Sequence, residues 1–120
     1  MTHILTVDDS QSIQTMINFV LLNQGYEVST ANSGEEALQL ARDSKFDMVI
    51  TDINMPDMDG YELTEKLRAL ENLQHVPVIA LTTENDNTSK LKGKRAGLTG
   101  WLVKPLQPEK LCQIVKHFTR

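Results

Sequence analysis

Two hydrophobic periods alternate along the chain. Residues 3–7, HILTV, form an apolar run of strand length, and Ile13, Met16, Ile17, Val20 and Leu21 then recur at helical spacing until Gly25 interrupts them. EVSTA, residues 27–31, reads as a second strand. Ser33 and Glu36 have the spacing of a capping box ahead of a helix carrying Ala37, Leu38 and Ala41. DMVIT, residues 47–51, is a third strand, followed by a polar loop to Gly60 and a helix marked by Leu63, Leu67 and Leu70. VPVIAL, residues 76–81, is a fourth strand, with a weaker helix over roughly 88–96. LTGWLV supplies a fifth strand, and after Pro108, suited to a first helical turn, Leu111, Ile114, Val115 and Phe118 mark a final amphipathic helix.

Strands separated by helices in this way form right-handed βαβ units, and strands this uniformly apolar need cover on both faces. The pattern predicts an α/β fold with a doubly wound parallel sheet, as one domain over residues 1–120. No linker, low-complexity tract or longer repeat suggests a second domain.

Composition agrees with a single domain: 120 residues, of which 40% are hydrophobic and 23% charged. A formal net charge of −4 argues against direct binding to nucleic acid or to an anionic membrane surface. The lone Cys112 has no second cysteine for a disulfide or a metal cluster and reads as a small apolar residue in a reducing compartment. MTHILTVDDS has neither the basic start of a signal peptide nor an apolar run long enough to span a membrane, so a cytoplasmic location without membrane insertion is expected.

Candidate chemistry lies just beyond the strands, where open parallel sheets bind ligands. The first strand ends in Asp8 and Asp9, the third in Asp52, the fourth in Thr82, Thr83 and Glu84, and the fifth in Lys104. If the winding reverses between the first and third strands, the three carboxylates meet, with Thr82 and Lys104 approaching from one side. Clustered carboxylates favour a proton or a hard divalent cation. Mg²⁺, which takes oxygen ligands in an octahedron at about 2.0–2.1 Å and keeps waters or a phosphate in its shell, suits them best. A carboxylate nucleophile, a cation, a lysine and a hydroxyl together would suffice for phosphoryl transfer, which is mostly positioning and electrostatics. Taken singly, each residue has a plainer reading: Asp8 or Asp9 as a helix cap, Asp52 as a turn residue, Lys104 as a solvated strand end. Their agreement across four strands carries the functional reading. INMPDMDG is a poor calcium loop, with Pro56 at the fifth ligand position and its glycine late, and GxxxxGK[ST] is absent. His3, His75 and His117 are scattered and read as surface or strand-end residues.

VDDS, ITDINMPDMDG, ALTT and LVKP, in this order and at these spacings, resemble the receiver domain of two-component signalling, in its single-domain CheY-like form. The resemblance spans essentially the whole chain and implies a flavodoxin-like (βα)5 fold with strand order 2-1-3-4-5. It implies that Asp52 accepts a phosphoryl group from a sensor histidine kinase or phosphotransfer protein. Mg²⁺ is then held by Asp52, Asp9 and the carbonyl of Asn54, with Asp8 acting through a metal-bound water, while Thr82 and Lys104 contact the phosphoryl group. It further implies self-catalysed dephosphorylation tuned by Asn54 and Glu84, whose amide and carboxylate resemble those of chemotaxis proteins with short-lived phosphoryl groups. A cis Lys104–Pro105 bond, a monomer when unphosphorylated and a downstream protein partner at the surface of the fourth helix, fifth strand and fifth helix also follow from it.

Trp101 stands where the family carries a switching Tyr or Phe, and its bulk argues against the same inward pocket. Leu106 replaces a common Phe, and Thr83 replaces a small alanine, narrowing access to the phosphoryl group. The fourth helix contains Gly93, which costs about 1 kcal/mol relative to alanine, and Lys90, Lys92, Lys94 and Arg95 within six residues. It reads as a solvated, easily frayed helix, or as a surface for an acidic partner. The start at Met1 and the end just past the fifth helix favour a stand-alone regulator. The alternatives are a receiver governing a DNA-binding or enzymatic output domain in a longer chain, and a degenerate receiver serving as a scaffold.

Overall fold

In the computed structural model, described for residues 1–83 and 86–119, strands and helices alternate throughout. The order is β1 His3–Val7, α1 Gln11–Asn23, β2 Glu27–Ala31, α2 Gly34–Asp43, β3 Met48–Asp52, α3 Gly60–Arg68, a 3₁₀ turn Glu71–Leu73, β4 Val78–Thr82, α4 Asn87–Ala96, β5 Gly100–Val103 and α5 Pro108–Thr119. All strand pairs are parallel, in the order β2-β1-β3-β4-β5. The winding direction therefore reverses between β1 and β3, as the convergence of Asp8, Asp9 and Asp52 requires.

The apolar strands are covered on both faces because successive side chains point to opposite sides. Ile4, Met48, Ile50, Ile79, Leu81 and Leu102 pack with Ile17 and Leu21 of α1 and Leu111 and Val115 of α5. Leu5, Val7, Val49 and Val78 pack on the opposite face with Ala37, Leu38, Leu63 and Leu67 of α2 and α3. A smaller cluster of Ile53, Tyr61, Ala80 and Ala96, with Trp101 and Leu98 against it, seats α4. Every residue of β3 and β4 is buried, whereas β2 and β5 are partly exposed as the two edges. Among the described residues, no helix is long and apolar enough to cross a membrane.

Local chemistry sets the boundaries. Ser10, not Asp8 or Asp9, caps α1, its hydroxyl accepting from the Ile13 N–H at 3.4 Å. Ser33 caps α2 by accepting from the Glu36 N–H, and the Glu36 carboxylate reaches back to the N–H of Asn32, one residue further than a standard capping box. Leu70, expected in the third helix, lies beyond its end and packs beside the buried cluster under α2 and α3. The helix ends at Arg68, whose half-buried guanidinium donates to the carbonyls of Leu73, Val76 and Gly97 and ties the end of α3 to the end of α4. Burial lowers its pKa from the usual arginine range.

The fourth helix corrects a second expectation. Gly93 is buried, and a Cβ there would lie 2.3 Å from Cζ2 and 2.5 Å from Cη2 of Trp101. The glycine is a notch for the indole rather than a site of fraying. The helix has an orthodox start and stop, with the Asp86 carboxylate accepting from the Ser89 N–H at 2.7 Å and Gly97 in the left-handed region at φ 106°. Its four cations are all exposed.

Candidate functional site

The carboxyl ends of β1 and β3 lie side by side, with Val7 paired to Thr51, so Asp8 and Asp52 extend from neighbouring strands at nearly the same height. Asp9 follows on the β1–α1 loop. One carboxylate oxygen from each of Asp8, Asp9 and Asp52 lies within 4.8 Å of the others. Asp8 is 1% exposed and Asp52 3%, while Asp9 faces solvent. This geometry opens the cluster on one side and walls it on the other.

Each buried carboxylate has one oxygen committed. Asp8 Oδ1 accepts from the Ser10 N–H at 2.8 Å, while Asp8 Oδ2 is buried with no hydrogen-bond partner. Such a group is costly to leave unsatisfied. Burial, helped by the nearby charges of Asp52 and Asp9 and opposed by the Ser10 N–H and Lys104, raises its pKa to about 6. Asp52 Oδ1 accepts from its neighbour's Ile53 N–H and from Lys104 Nζ, both at 3.0 Å. Three carboxylates facing one ammonium leave an excess of negative charge. Oxygen donors alone and an orphaned buried carboxylate oxygen fit a hard divalent cation such as Mg²⁺.

Lys104 comes from the end of the edge strand β5. Its backbone N–H donates to the Thr82 carbonyl at 2.8 Å, and the Lys104–Pro105 bond is cis. Thr82, 1% exposed at the end of β4, thus stands between the lysine's strand and Asp52, whose strand partner is Leu81. Thr83, the residue expected to narrow access, is exposed. The β3–α3 loop begins with buried Ile53, continues through exposed Asn54 and folds back so closely that a Cβ on Gly60 would lie 2.5 Å from the Asp52 carbonyl oxygen. The remaining loop acids are structural: Asp57 adopts φ 68° in the turn, and Asp59 caps α3 at the Glu62 N–H, 2.8 Å away. Glu84 lies outside the described residues.

Trp101 lies on the α4 face of β5, paired with Ala80, and its ring meets that of Tyr61 edge-on at 6.5 Å between centroids. Its bulk is accommodated by Gly93, a relation invisible while the two residues are considered separately. Among the histidines, His3 bonds Ser29 Oγ at 2.7 Å and meets the Phe46 ring at a tilt of 47°, while His75 and His117 are exposed. None approaches the carboxylates closely enough to join their cluster.

One polar residue near the site escaped notice. Gln14 is buried, with its amide against the Asp8 carbonyl. The available signal was its place in α1, where Gln14, Ile17 and Leu21 form the buried stripe, so a polar residue occupies a core-facing position.

Fold and site together define a doubly wound domain that gathers an acidic cluster and a lysine at the switch point of its sheet. The response regulator receiver domain model matches residues 4–116, and the chain belongs to that family. The chain is similar to the chemotaxis protein CheY4 of Vibrio cholerae, with 43% identity, 98% of each chain covered and a TM-score of 0.96. It is 32% identical to the receiver domain of the sensor histidine kinase PA1611 of Pseudomonas aeruginosa, covering 98% of this chain and 97% of that one at a TM-score of 0.91; that structure has a magnesium ion coordinated in its active-site cleft. The probable transcriptional regulator ycf29 of Porphyra purpurea is 41% identical over 96% of this chain but 55% of its own length. The chain spans about half the length of the first curated relatives it matches.

Proposed function

We propose that residues 1–120 form a receiver domain acting as a phosphorylation-activated response regulator, in which Asp52 accepts a phosphoryl group from a sensor histidine kinase or phosphotransfer protein. The observation that carries this reading is the pairing of buried Asp52 with Lys104 at 3.0 Å beside a second carboxylate whose inner oxygen has no partner. A structural ion pair alone has no use for that orphaned oxygen.

In the proposed reaction a carboxylate oxygen of Asp52 attacks the phosphorus of the donor phosphohistidine. The phosphorus–nitrogen bond breaks, its electron pair stays on the imidazole, and the transferred group remains on Asp52 as an acyl phosphate. Asp9, Asp52 and the Asn54 carbonyl would hold Mg²⁺, with Asp8 contributing through a bound water, and the ion would supply neutralisation of charge on the transferring group. Lys104 Nζ exchanges its contact with Asp52 Oδ1 for a phosphoryl oxygen, and the Thr82 hydroxyl donates to another. Hydrolysis, with water attacking phosphorus, returns phosphate and free Asp52, at a rate that Asn54 and Glu84 tune by their amide and carboxylate chemistry.

The output follows from connectivity. Lys104 is bound through its backbone to Thr82 and lies three residues from Trp101, which is seated in α4. A shift of Lys104 and Thr82 toward the phosphoryl group is thereby transmitted to α4, β5 and α5, where a downstream protein binds. Likeness to CheY4 over its full length supports a stand-alone regulator with a protein-binding output, chemotaxis being one such setting. The half-length match to ycf29 supports a second reading, a receiver governing a further domain.

Beryllofluoride with Mg²⁺ tests the site. Backbone amides of the loops after β1, β3 and β4 are expected to shift in a saturable, Mg²⁺-dependent manner, and Asp52→Asn to abolish the response. An equal response in Asp52→Asn would reject Asp52 as the acceptor.

A further inference from the structure

The first buried residue of α1 is polar. Gln14, 5% exposed, directs Nε2 at the Asp8 carbonyl, the Ala31 carbonyl at 2.9 Å and Asn32 Oδ1 at 2.9 Å. An amide nitrogen has two hydrogens, so three acceptors share two donors. All three acceptors lie at the carboxyl ends of β1 and β2. Ala31 also accepts from the Asp8 N–H at 3.2 Å, and the Asn32 N–H donates to Glu36 at 3.2 Å. Gln14 is thus the node joining α1, the end of β1, the end of β2 and the start of α2.

This node bears on the carboxylate cluster through Asp8. Gln14 fixes the Asp8 carbonyl, and the Ser10 N–H fixes Asp8 Oδ1 at 2.8 Å. With the peptide and one side-chain oxygen both held, Oδ2 is left in a single direction, buried and without a partner. An apolar side chain at residue 14 would leave the Asp8 carbonyl without this donor and the loop carrying Asp8 and Asp9 with one restraint fewer.

We infer that Gln14 is a positioning residue for the divalent-cation site, its amide holding the peptide of Asp8 so that the Asp8 and Asp9 carboxylates are presented together. The inference rests on the proposed Mg²⁺-dependent function. Octahedral coordination tolerates little displacement of its ligands, and partners that orient ligands typically contribute tenfold or more to metal affinity. Because Gln14 acts one step further out, through the backbone, a smaller effect is expected, a loss of about three- to tenfold.

The test uses the whole chain and Mg²⁺ alone, by calorimetric titration and by native-state amide exchange at Asp9 and Ser10. Gln14→Met keeps the length and removes the donor. It is expected to weaken Mg²⁺ binding about three- to tenfold and to speed exchange at those two amides. Gln14→Asn, which withdraws the amide by one methylene, gives a smaller loss and serves if the methionine variant does not fold. Ile17→Val, in the same buried stripe, controls for destabilisation and should leave the Mg²⁺ affinity unchanged. Unchanged affinity and exchange in the Gln14 variants, or an equal loss in Ile17→Val, would overturn the inference. A wild-type chain that binds no Mg²⁺ would instead overturn the reading beneath it.

Discussion

Replacing Gly93 by alanine is the sharpest test of how Trp101 is seated. At an unencumbered helix-interior position the exchange stabilises by about 1 kcal/mol, because alanine restricts the unfolded backbone and favours the helix. Here the new methyl would meet the indole at 2.3 and 2.5 Å, far inside van der Waals contact, and Leu98 Cδ1 at 2.7 Å. The leucine methyl is the end of a flexible chain and can yield, but the rigid indole must swing outward or push α4 away. Overpacking of this kind costs about 1–3 kcal/mol, so Gly93→Ala should be neutral to destabilising by about 2 kcal/mol, reversing the usual gain. Chemical denaturation followed by far-ultraviolet circular dichroism measures this. In a Trp101→Ala background the same substitution should recover the helical gain, giving a coupling of about 1–3 kcal/mol in the double-mutant cycle. As the chain's only tryptophan, Trp101 should also emit at longer wavelength in Gly93→Ala as the ring enters water. A Gly93→Ala protein about 1 kcal/mol more stable than wild type, with unshifted emission and no coupling, would refute the notch.

Other consequences concern charge. The Asp8 pKa of about 6 lies above its unfolded value of 3.8, so the folded chain binds more protons between these pH values. The metal-free protein should therefore lose stability as pH rises through about 4 to 6, by roughly 1–3 kcal/mol in all. Asp8→Asn should flatten that part of the pH–stability curve and raise stability at pH 7, and Mg²⁺ should stabilise the wild type more at pH 7 than at pH 5. In Lys104→Met the carboxylates lose their neighbouring cation, so Mg²⁺ should bind about three- to tenfold tighter, as expected from unscreened attraction at short range. The same variant should nevertheless acquire phosphoryl groups more slowly, since no ammonium replaces Lys104 at the phosphoryl oxygens; calorimetry and labelling kinetics measure the two opposed effects.

What could be read before the structure depended on whether a signal was local. The limits of β1 and β2 follow from the apolar run HILTV closed by Asp8 and from the β-branched-rich run EVSTA closed by Asn32, and the alternation of periods led to the doubly wound sheet. β3 and β4 each end one residue later than expected, at Asp52 and Thr82, where ladder pairing with neighbouring strands carries the polar residue along, and they begin one and two residues later, at Met48 and Val78. Strand order came only from family resemblance, since periodicity says nothing of which strands are neighbours. The carboxylates, Thr82 and Lys104 were legible because each sits at a strand end, where topology alone brings them together.

Relations between distant residues were not legible. Gly93 looked like a defect until Trp101 was seen to fill its missing side chain, and nothing in the sequence around Arg68 marks it as a residue whose guanidinium holds three backbone carbonyls. Gln14 was overlooked because one polar residue in an amphipathic helix changes the period very little, while its meaning depends on Asp8, Ala31 and Asn32 arriving from other elements.

The central claim is that Asp52 is the phosphoryl acceptor of a Mg²⁺-dependent site. Incubation with acetyl phosphate followed by intact-protein mass spectrometry tests it most directly. The account predicts that the wild type gains the mass of one phosphoryl group when Mg²⁺ is present, gains none in excess chelator, and gains none as Asp52→Asn. Folded wild type that remains unmodified with Mg²⁺, or an Asp52→Asn protein labelled to the same extent, would contradict it.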